Sequence, residues 1–330
     1  MKESTSFLLF SGISIPYEVA SIGFTARKVM RASYEYHRLM STTKQRAGIF
    51  AVLGAALCFG TTGTTQQLGV PDISPVAVAS ARLICGSLFL FFFAYFQRKS
   101  RGQVRMPVRD LIICGVGIGM YQLTFFSAVH STGIAIATVT ALGAAPTLSA
   151  IVAYLLMGEK PQKNWYLGTA ITILGIVLVG TAHGIASFNG KGVALAVLAG
   201  FGFAVFNVVC RRSLARGAQD MWLTATTFGV AALVSAPFLF TQNPEWIITS
   251  KGLLTVLWLG LVTTSIGYVL FMYGLKRIES SLAATVVLAE PATATILAAV
   301  VIGEELTLQS YLGIAIVASG ILYLSRKSSN

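Results

Sequence analysis

The sequence predicts an all-α integral membrane fold: ten transmembrane helices arranged as two inverted five-helix repeats. Three observations predict it. Composition is the first, since 55% of the 330 residues are hydrophobic and 11% are charged, whereas soluble domains carry about 25% charged residues. The mean hydropathy of +0.75 agrees. The second is a succession of ten apolar runs, each with the roughly 20 helical residues that cross a hydrocarbon core. The third is an internal repeat. Shifting the chain by 145 positions lays Leu142–Pro146 over Val287–Pro291, Gly158–Glu159 over Gly303–Glu304, Tyr166–Gly168 over Tyr311–Gly313 and Gly175–Ile176 over Gly320–Ile321, without a gap. Several landmarks at one offset mark a duplication. Five helices per copy is an odd number, so the second copy enters the membrane upside down.

Residues 1–46 precede the first run and are only weakly apolar, with Pro16 and Glu18 interrupting the one hydrophobic patch. Glu3 beside Lys2 and the lack of a small-residue cleavage site make a poor signal peptide. Two readings remain: an N-terminal cytoplasmic extension, disordered or interfacial, or a start at Met40 that leaves STTKQRAGIF as a basic lead into the first helix.

The first repeat, 47–183, begins with the run 47–68, whose second half reads Thr61, Thr62, Thr64, Thr65, Gln66 and Gln67. Lipid cannot satisfy so many hydrogen-bonding groups, so part of this row faces a cavity. Thr61 and Thr65, one turn apart, share a face and are the preferred pair, although threonine hydroxyls also bond their own backbone. The run 74–96 carries Arg82, about 8 residues or roughly 12 Å inside it. It pairs a substrate carboxylate or Glu290, or else snorkels to the headgroups. Tyr121 and Gln122 lie within 110–129, Pro146 lies within 134–156, and 164–182 closes the repeat.

The second repeat, 190–325, holds the runs 191–210, 220–240, 252–274, 280–302 and 307–325. Asn207 belongs to the first of these, close to the surface residue Arg211, and Tyr268 to the third. The fourth contains Glu290 near its middle, where Ala145 stands in the first copy. A charge at that depth costs roughly 2.5–3.5 kcal/mol on insertion scales, so Glu290 is by default a functional residue. Pro291 follows it, removing a donor and freeing the carbonyl of Val287. Pro146 and Pro291 are therefore the candidate kinks. Glu159 and Glu304 precede the fifth and tenth runs, where helix capping accounts for them. Tyr95, Trp165, Trp222, Trp246 and Tyr323 read as an interfacial belt.

The net charge of +12 would suit nucleic acid only if it formed one basic face, yet Lys and Arg sit in short clusters between apolar runs. They report topology instead. Sixteen, from Lys44 to Lys327, fall on one side, while Lys191 and Lys251 fall on the other. This puts both termini in the cytoplasm of a multi-pass cell-membrane protein. Cys58, Cys85, Cys114 and Cys210 all lie in apolar runs and form no C-x-x-C pair, so they read as small buried hydrophobes. His37, His130 and His183 are separate, which gives no metal site. Nothing calls for a cofactor, and no G-x-x-x-x-G-K-[ST] is present to bind ATP.

Several motifs carry a family resemblance: the repeated P…GE…YLG…G landmarks, the Glu290-Pro291 pair, Phe59-Gly60-Thr61-Thr62, Ala81-Arg82-Leu83, Phe203 to Asn207 and Tyr268 to Arg277. Over residues 47–325 the chain resembles the drug/metabolite transporter superfamily, specifically its ten-helix EamA-type members. It departs at Cys58-Phe-Gly-Thr-Thr62, where the family often has a Trp-Gly-Ser-Asn-like segment. The resemblance implies a cavity lined by helices 1, 3, 4, 6, 8 and 9, and a secondary transporter that exports small metabolites such as amino acids. In it Glu290, Thr61, Thr65, Tyr121, Gln122, Asn207, Tyr268 and Arg82 are the translocation candidates. The partners are then a small-molecule substrate and the lipid bilayer, with proton coupling and homo-oligomer formation open. A passive channel or membrane scaffold is the alternative. An intramembrane enzyme fits less well, because the sequence has no H-E-x-x-H and no second carboxylate to form a dyad with Glu290.

Overall fold

A computed structural model describes residues 7–10, 13–16, 26–97, 106–182, 184 and 189–327. Lys2, Glu3, Glu18, Arg98, Lys99, Arg101, Arg105 and His183 lie outside the described residues, as does the side chain of His37. The chain divides into the units Met1–Gln45 and Arg46–Asn330. In the first, β1 (Phe7–Phe10) pairs antiparallel with β2 (Ile13–Pro16), Phe7 opposite Pro16 and Phe10 opposite Ile13. The sequence reading gave no strand there. Its bulky and β-branched residues suit a pleated pair.

Ten helices follow: α1 (Ala26–Gly69), α2 (Pro75–Phe96), α3 (Val108–Thr132), α4 (Ile134–Met157), α5 (Lys163–Thr181), α6 (Gly190–Ala215), α7 (Asp220–Thr241), α8 (Ser250–Leu275), α9 (Ser280–Ile302) and α10 (Leu308–Lys327). All ten are long and apolar enough to cross a membrane. Their ends are set locally. Gly158 and Gly303, equivalent under the repeat, stop α4 and α9 in the left-handed conformation at φ 67° and 84°, where a side chain is disfavoured and glycine is the usual residue.

The two repeats pack as equivalents. On α5 and α10, Gly168 meets Leu324, Thr172 meets Gly320, Gly175 meets Val317 and Val179 meets Gly313. The pairing runs antiparallel, and the 145-residue shift exchanges Gly168–Leu324 with Val179–Gly313. Equivalent helices of the two copies therefore point in opposite directions. Backbone-close contacts recur elsewhere. A Cβ on Gly202 of α6 would lie 2.7 Å from the Gly117 oxygen of α3, and one on Gly274 of α8 would lie 2.6 Å from the Gly48 oxygen of α1. The first helix of each copy thus packs on the third helix of the other. Small residues permit this approach, which is how helices associate where lipid removes the hydrophobic drive.

Three helices are irregular, α7 because it ends in the 3-10 turns Ala236–Thr241. In α8 a π-helical stretch, Leu259–Ile266, interrupts the α-helix, and α9 breaks after Ser280–Val286 before resuming at Ala289. At that break the Glu290 amide donates to the Val287 carbonyl at 2.9 Å. The oxygen that Pro291 cannot serve is thereby satisfied three residues on. By contrast, α4 runs through Pro146 as one helix. Ser280 to Leu288 are all buried, whereas none of Thr293 to Ile302 is. The closed half of α9 lies at the end of the bundle that carries Lys160, Arg211 and Lys276, the basic end, and the half beyond Pro291 is more open.

Candidate functional site

Near the middle of the bundle, seven helices converge on one cavity. Its wall is made by Phe59 and Thr62 of α1, Arg82 of α2, Tyr121 of α3, Leu142 of α4, Phe203 of α6, Tyr268 of α8, and Val287 and Glu290 of α9. Leu142 and Val287 are equivalent under the repeat, and each stands four residues before its proline. Both prolines therefore withhold a helical donor from a carbonyl at the cavity. The aromatic side is continuous: Tyr268 lies 4.7 Å from Phe59 and 4.2 Å from Phe228 between ring centroids, and Tyr121 lies 5.6 Å from Phe203.

Arg82 is fixed by α1 and α3. Its Nη2 donates to Gln122 Oε1 at 2.9 Å and its Nη1 to Thr62 Oγ1 at 3.4 Å. Gln122 is 2% exposed, so the guanidinium sits inside the protein and does not snorkel to the headgroups. Two buried donors in this group, Arg82 Nε and Gln122 Nε2, have no partner. An unpaired buried donor costs about 1–3 kcal/mol, so donors of this kind suit an acceptor brought by a ligand or water. Glu290 shares the cavity with Arg82, and the charge of Arg82 reaches it. Among the described residues the two form no ion pair. The site thus offers a held cation, a separate carboxylate and an aromatic wall.

The sequence-predicted residues divide into those at the cavity and those beside it. Tyr121, Tyr268, Arg82 and Glu290 line it, and Gln122 orients Arg82. Thr61 faces elsewhere: it donates to Cys58 O at 2.8 Å and accepts from Trp258 Nε1 at 3.2 Å. Thr62 takes the place expected of Thr61 and Thr65. Asn207 is fully buried away from the cavity wall, where its Nδ2 donates to Ser280 O at 2.8 Å and Ser149 Oγ at 3.3 Å, joining α6, α9 and α4. Trp165 and Trp246, expected at the interface, are 6% and 8% exposed, and Trp165 Nε1 donates to Thr285 Oγ1 at 3.0 Å.

Phe59, Leu142, Phe203 and Val287 are wall residues that the sequence reading did not place at a cavity, and Thr62 belongs to the row of which part was expected to face one. The repeat held a signal for two of them, because Leu142 and Val287 carry the carbonyls released by the two prolines. Helix 2 was likewise placed off the cavity, yet Arg82 brings it in.

The EamA-like transporter family model matches residues 46–181 and again 190–326, one match per repeat. The chain belongs to the EamA-like transporter family. An uncharacterized transporter of Bacillus subtilis, YwfM, is 33% identical over 275 residues, covering 83% of this chain and 92% of that protein. An uncharacterized inner membrane transporter of Salmonella typhimurium, YicL, is 24% identical across 86% of this chain and 96% of its own length. A solved crystal structure with 20% identity superposes with a TM-score of 0.73, covering 86% of this chain and 99% of the other, which shows the shared fold. This EamA-like protein is a multi-pass membrane protein of a transporter family, and its central cavity brings Arg82 and Glu290 together.

Proposed function

We propose that this protein is a secondary transporter that exports small metabolites, amino acids or related compounds, by alternating access across the cell membrane, with both termini in the cytoplasm. The observation that carries the reading is the central cavity, in which Arg82 is held in place and Glu290 stands unpaired among aromatic rings. A substrate carboxylate matches the guanidinium and its unpartnered Nε. A substrate ammonium, or a proton, matches Glu290. A carboxylate that releases either one to alternate sides couples binding to movement, and inverted repeats supply the two equivalent shapes this requires.

The test is a screen of radiolabelled metabolites with purified protein in liposomes, run with and without a pH gradient. Accumulation of a zwitterionic compound that responds to the gradient, and loses that response in Glu290→Gln, supports the proposal. Uptake by Glu290→Gln at the wild-type rate and with wild-type pH dependence overturns the role of Glu290.

A further inference from the structure

Towards the basic end, α3 of the first repeat and α6 of the second bring two cysteines together. Cys114 and Cys210 are free thiols, and both are fully buried. Cys210 Sγ donates to Cys114 Sγ at 3.3 Å, and Cys114 Sγ in turn donates to the Phe206 carbonyl at 3.9 Å. The two helices run antiparallel and close, so their contacts form a ladder. At the end of the bundle Asp110 meets Arg216 at 3.9 Å. Cys114 and Cys210 come next, and then Gly117, whose added Cβ would lie 3.0 Å from the Gly202 oxygen and 3.4 Å from the Phe206 nitrogen. The last rung is Tyr121 and Phe203, with rings 5.6 Å apart at the cavity.

This spacing suits a covalent bond. A disulfide has its sulfurs about 2.05 Å apart, so the pair needs to close by only about 1.2 Å. The glycines beside it hold the two backbones close, which a bridge also requires. A thiol sealed in apolar surroundings is slow to react. Here the seal is thin. Asp110 stands one turn before Cys114 on the same face of α3, and the arginine of its ion pair is 55% exposed. Exposed pairs of this kind contribute little, so their parting admits water and small neutral molecules to the thiols.

We propose that Cys114 and Cys210 are an oxidisable pair, which hydrogen peroxide converts into a disulfide joining the two repeats. One thiol loses its proton and attacks a peroxide oxygen; the O–O bond breaks, and the products are a sulfenic acid and one water. The other thiol then attacks that sulfur, the S–O bond breaks as the S–S bond forms, and the departing hydroxide takes the remaining proton as a second water. The peroxide is reduced by two electrons and the two thiols are oxidised by two. Tyr121 lies seven residues beyond Cys114 and Phe203 seven before Cys210, about two turns in each helix. The bridge therefore ties the cavity wall of one repeat to that of the other, and it slows a carrier whose repeats must shift against each other. Formation of the bridge is independent of the transport reading, and its effect on turnover rests on that reading.

The experiment uses the full-length protein with its four native cysteines. Purified protein in detergent is exposed to hydrogen peroxide, denatured and treated with N-ethylmaleimide, and the blocked thiols are counted by intact mass and located by peptide mapping. The expected result is the loss of two of the four thiols, their return with dithiothreitol, and a linked pair of peptides carrying Cys114 and Cys210. Cys58 and Cys85, half-buried on α1 and α2, are the internal reference and stay blockable. Cys114→Ala and Cys210→Ala are each expected to abolish the reversible loss. Four blockable thiols after oxidation, a reversible loss that maps to Cys58 or Cys85, or oxygen added at Cys114 or Cys210 without a bridge overturns the pair. Counterflow of the compound found in the metabolite screen, measured on the same protein in liposomes, separates the two readings. It is expected to fall on oxidation, recover with dithiothreitol and stay unchanged by peroxide in Cys114→Ala. A bridge in protein that shows no counterflow even when reduced contradicts the carrier alone, normal counterflow with no bridge contradicts the thiol pair alone, and bridged protein with unchanged counterflow overturns the effect on turnover.

Discussion

Glu290 and Arg82 share one cavity unpaired, and that separation makes each of them testable alone. Removing the guanidinium in Arg82→Ala leaves Gln122 Oε1, in a residue 2% exposed, without its donor. The expected cost is about 1–3 kcal/mol, read as a lower melting temperature in detergent. Arg82→Lys keeps the charge but loses the fork that reaches Gln122 and Thr62 together, so substrate affinity is expected to fall while protein yield is preserved. At the basic end the Glu159 and Glu279 carboxyls are pushed up, in both cases chiefly by burial, with Arg211 opposing the rise and Glu159 adding to it at Glu279. The sign follows from linkage. A carboxyl that holds its proton more tightly in the folded protein than in the unfolded chain favours the fold as pH falls towards the raised value, and costs stability as pH rises through it. Mild acidification is therefore expected to raise the melting temperature in detergent, and a Glu159→Gln, Glu279→Gln double variant is expected to flatten that dependence. Residue types were more legible in the sequence than residue directions. Glu290 and Arg82 stood out because a buried charge is rare at any helix phase, whereas choosing among Thr61, Thr62 and Thr65 needed the rotation of α1, which only its neighbours set.

For the helices, the decisive features are the small residues and the two prolines. A side chain at Gly175 cannot be absorbed by rotamer change, because its Cβ would lie 2.7 Å from the backbone nitrogen of Val317. Gly175→Val is expected to push α5 from α10 and cost about 1–3 kcal/mol, seen as earlier thermal aggregation. The equivalent change in the other copy, Gly320→Val, meets the Thr172 nitrogen at 3.0 Å and should act in the same direction. Pro291→Ala restores a donor for Val287 O in competition with the Glu290 amide, so the break in α9 should close and turnover should slow. The sequence showed both prolines but not their different outcomes. Pro146 sits in an unbroken helix, while Pro291 follows a break that begins at Val287, and the second copy carries Glu290 where the first has Ala145.

Across the whole molecule, the ten spans and the duplication were readable because hydropathy and repeat offset are one-dimensional properties of the chain. The cavity was not, since it takes side chains from seven helices whose mutual rotation is fixed by contacts such as Gly117–Gly202 and Gly48–Gly274. Glu159 shows the same limit. Its spacing suggested a cap on the helix that follows it, yet α5 begins at Lys163 without a side-chain cap. The central claim, a carrier that exposes one cavity to each side in turn, is tested most directly by counterflow in liposomes preloaded with the unlabelled compound found in the metabolite screen. The expected result is saturable entry of the labelled compound, accelerated by the unlabelled compound inside and lost when the cavity is disabled by Glu290→Ala. Entry that rises linearly with concentration and ignores what the liposomes contain would contradict it.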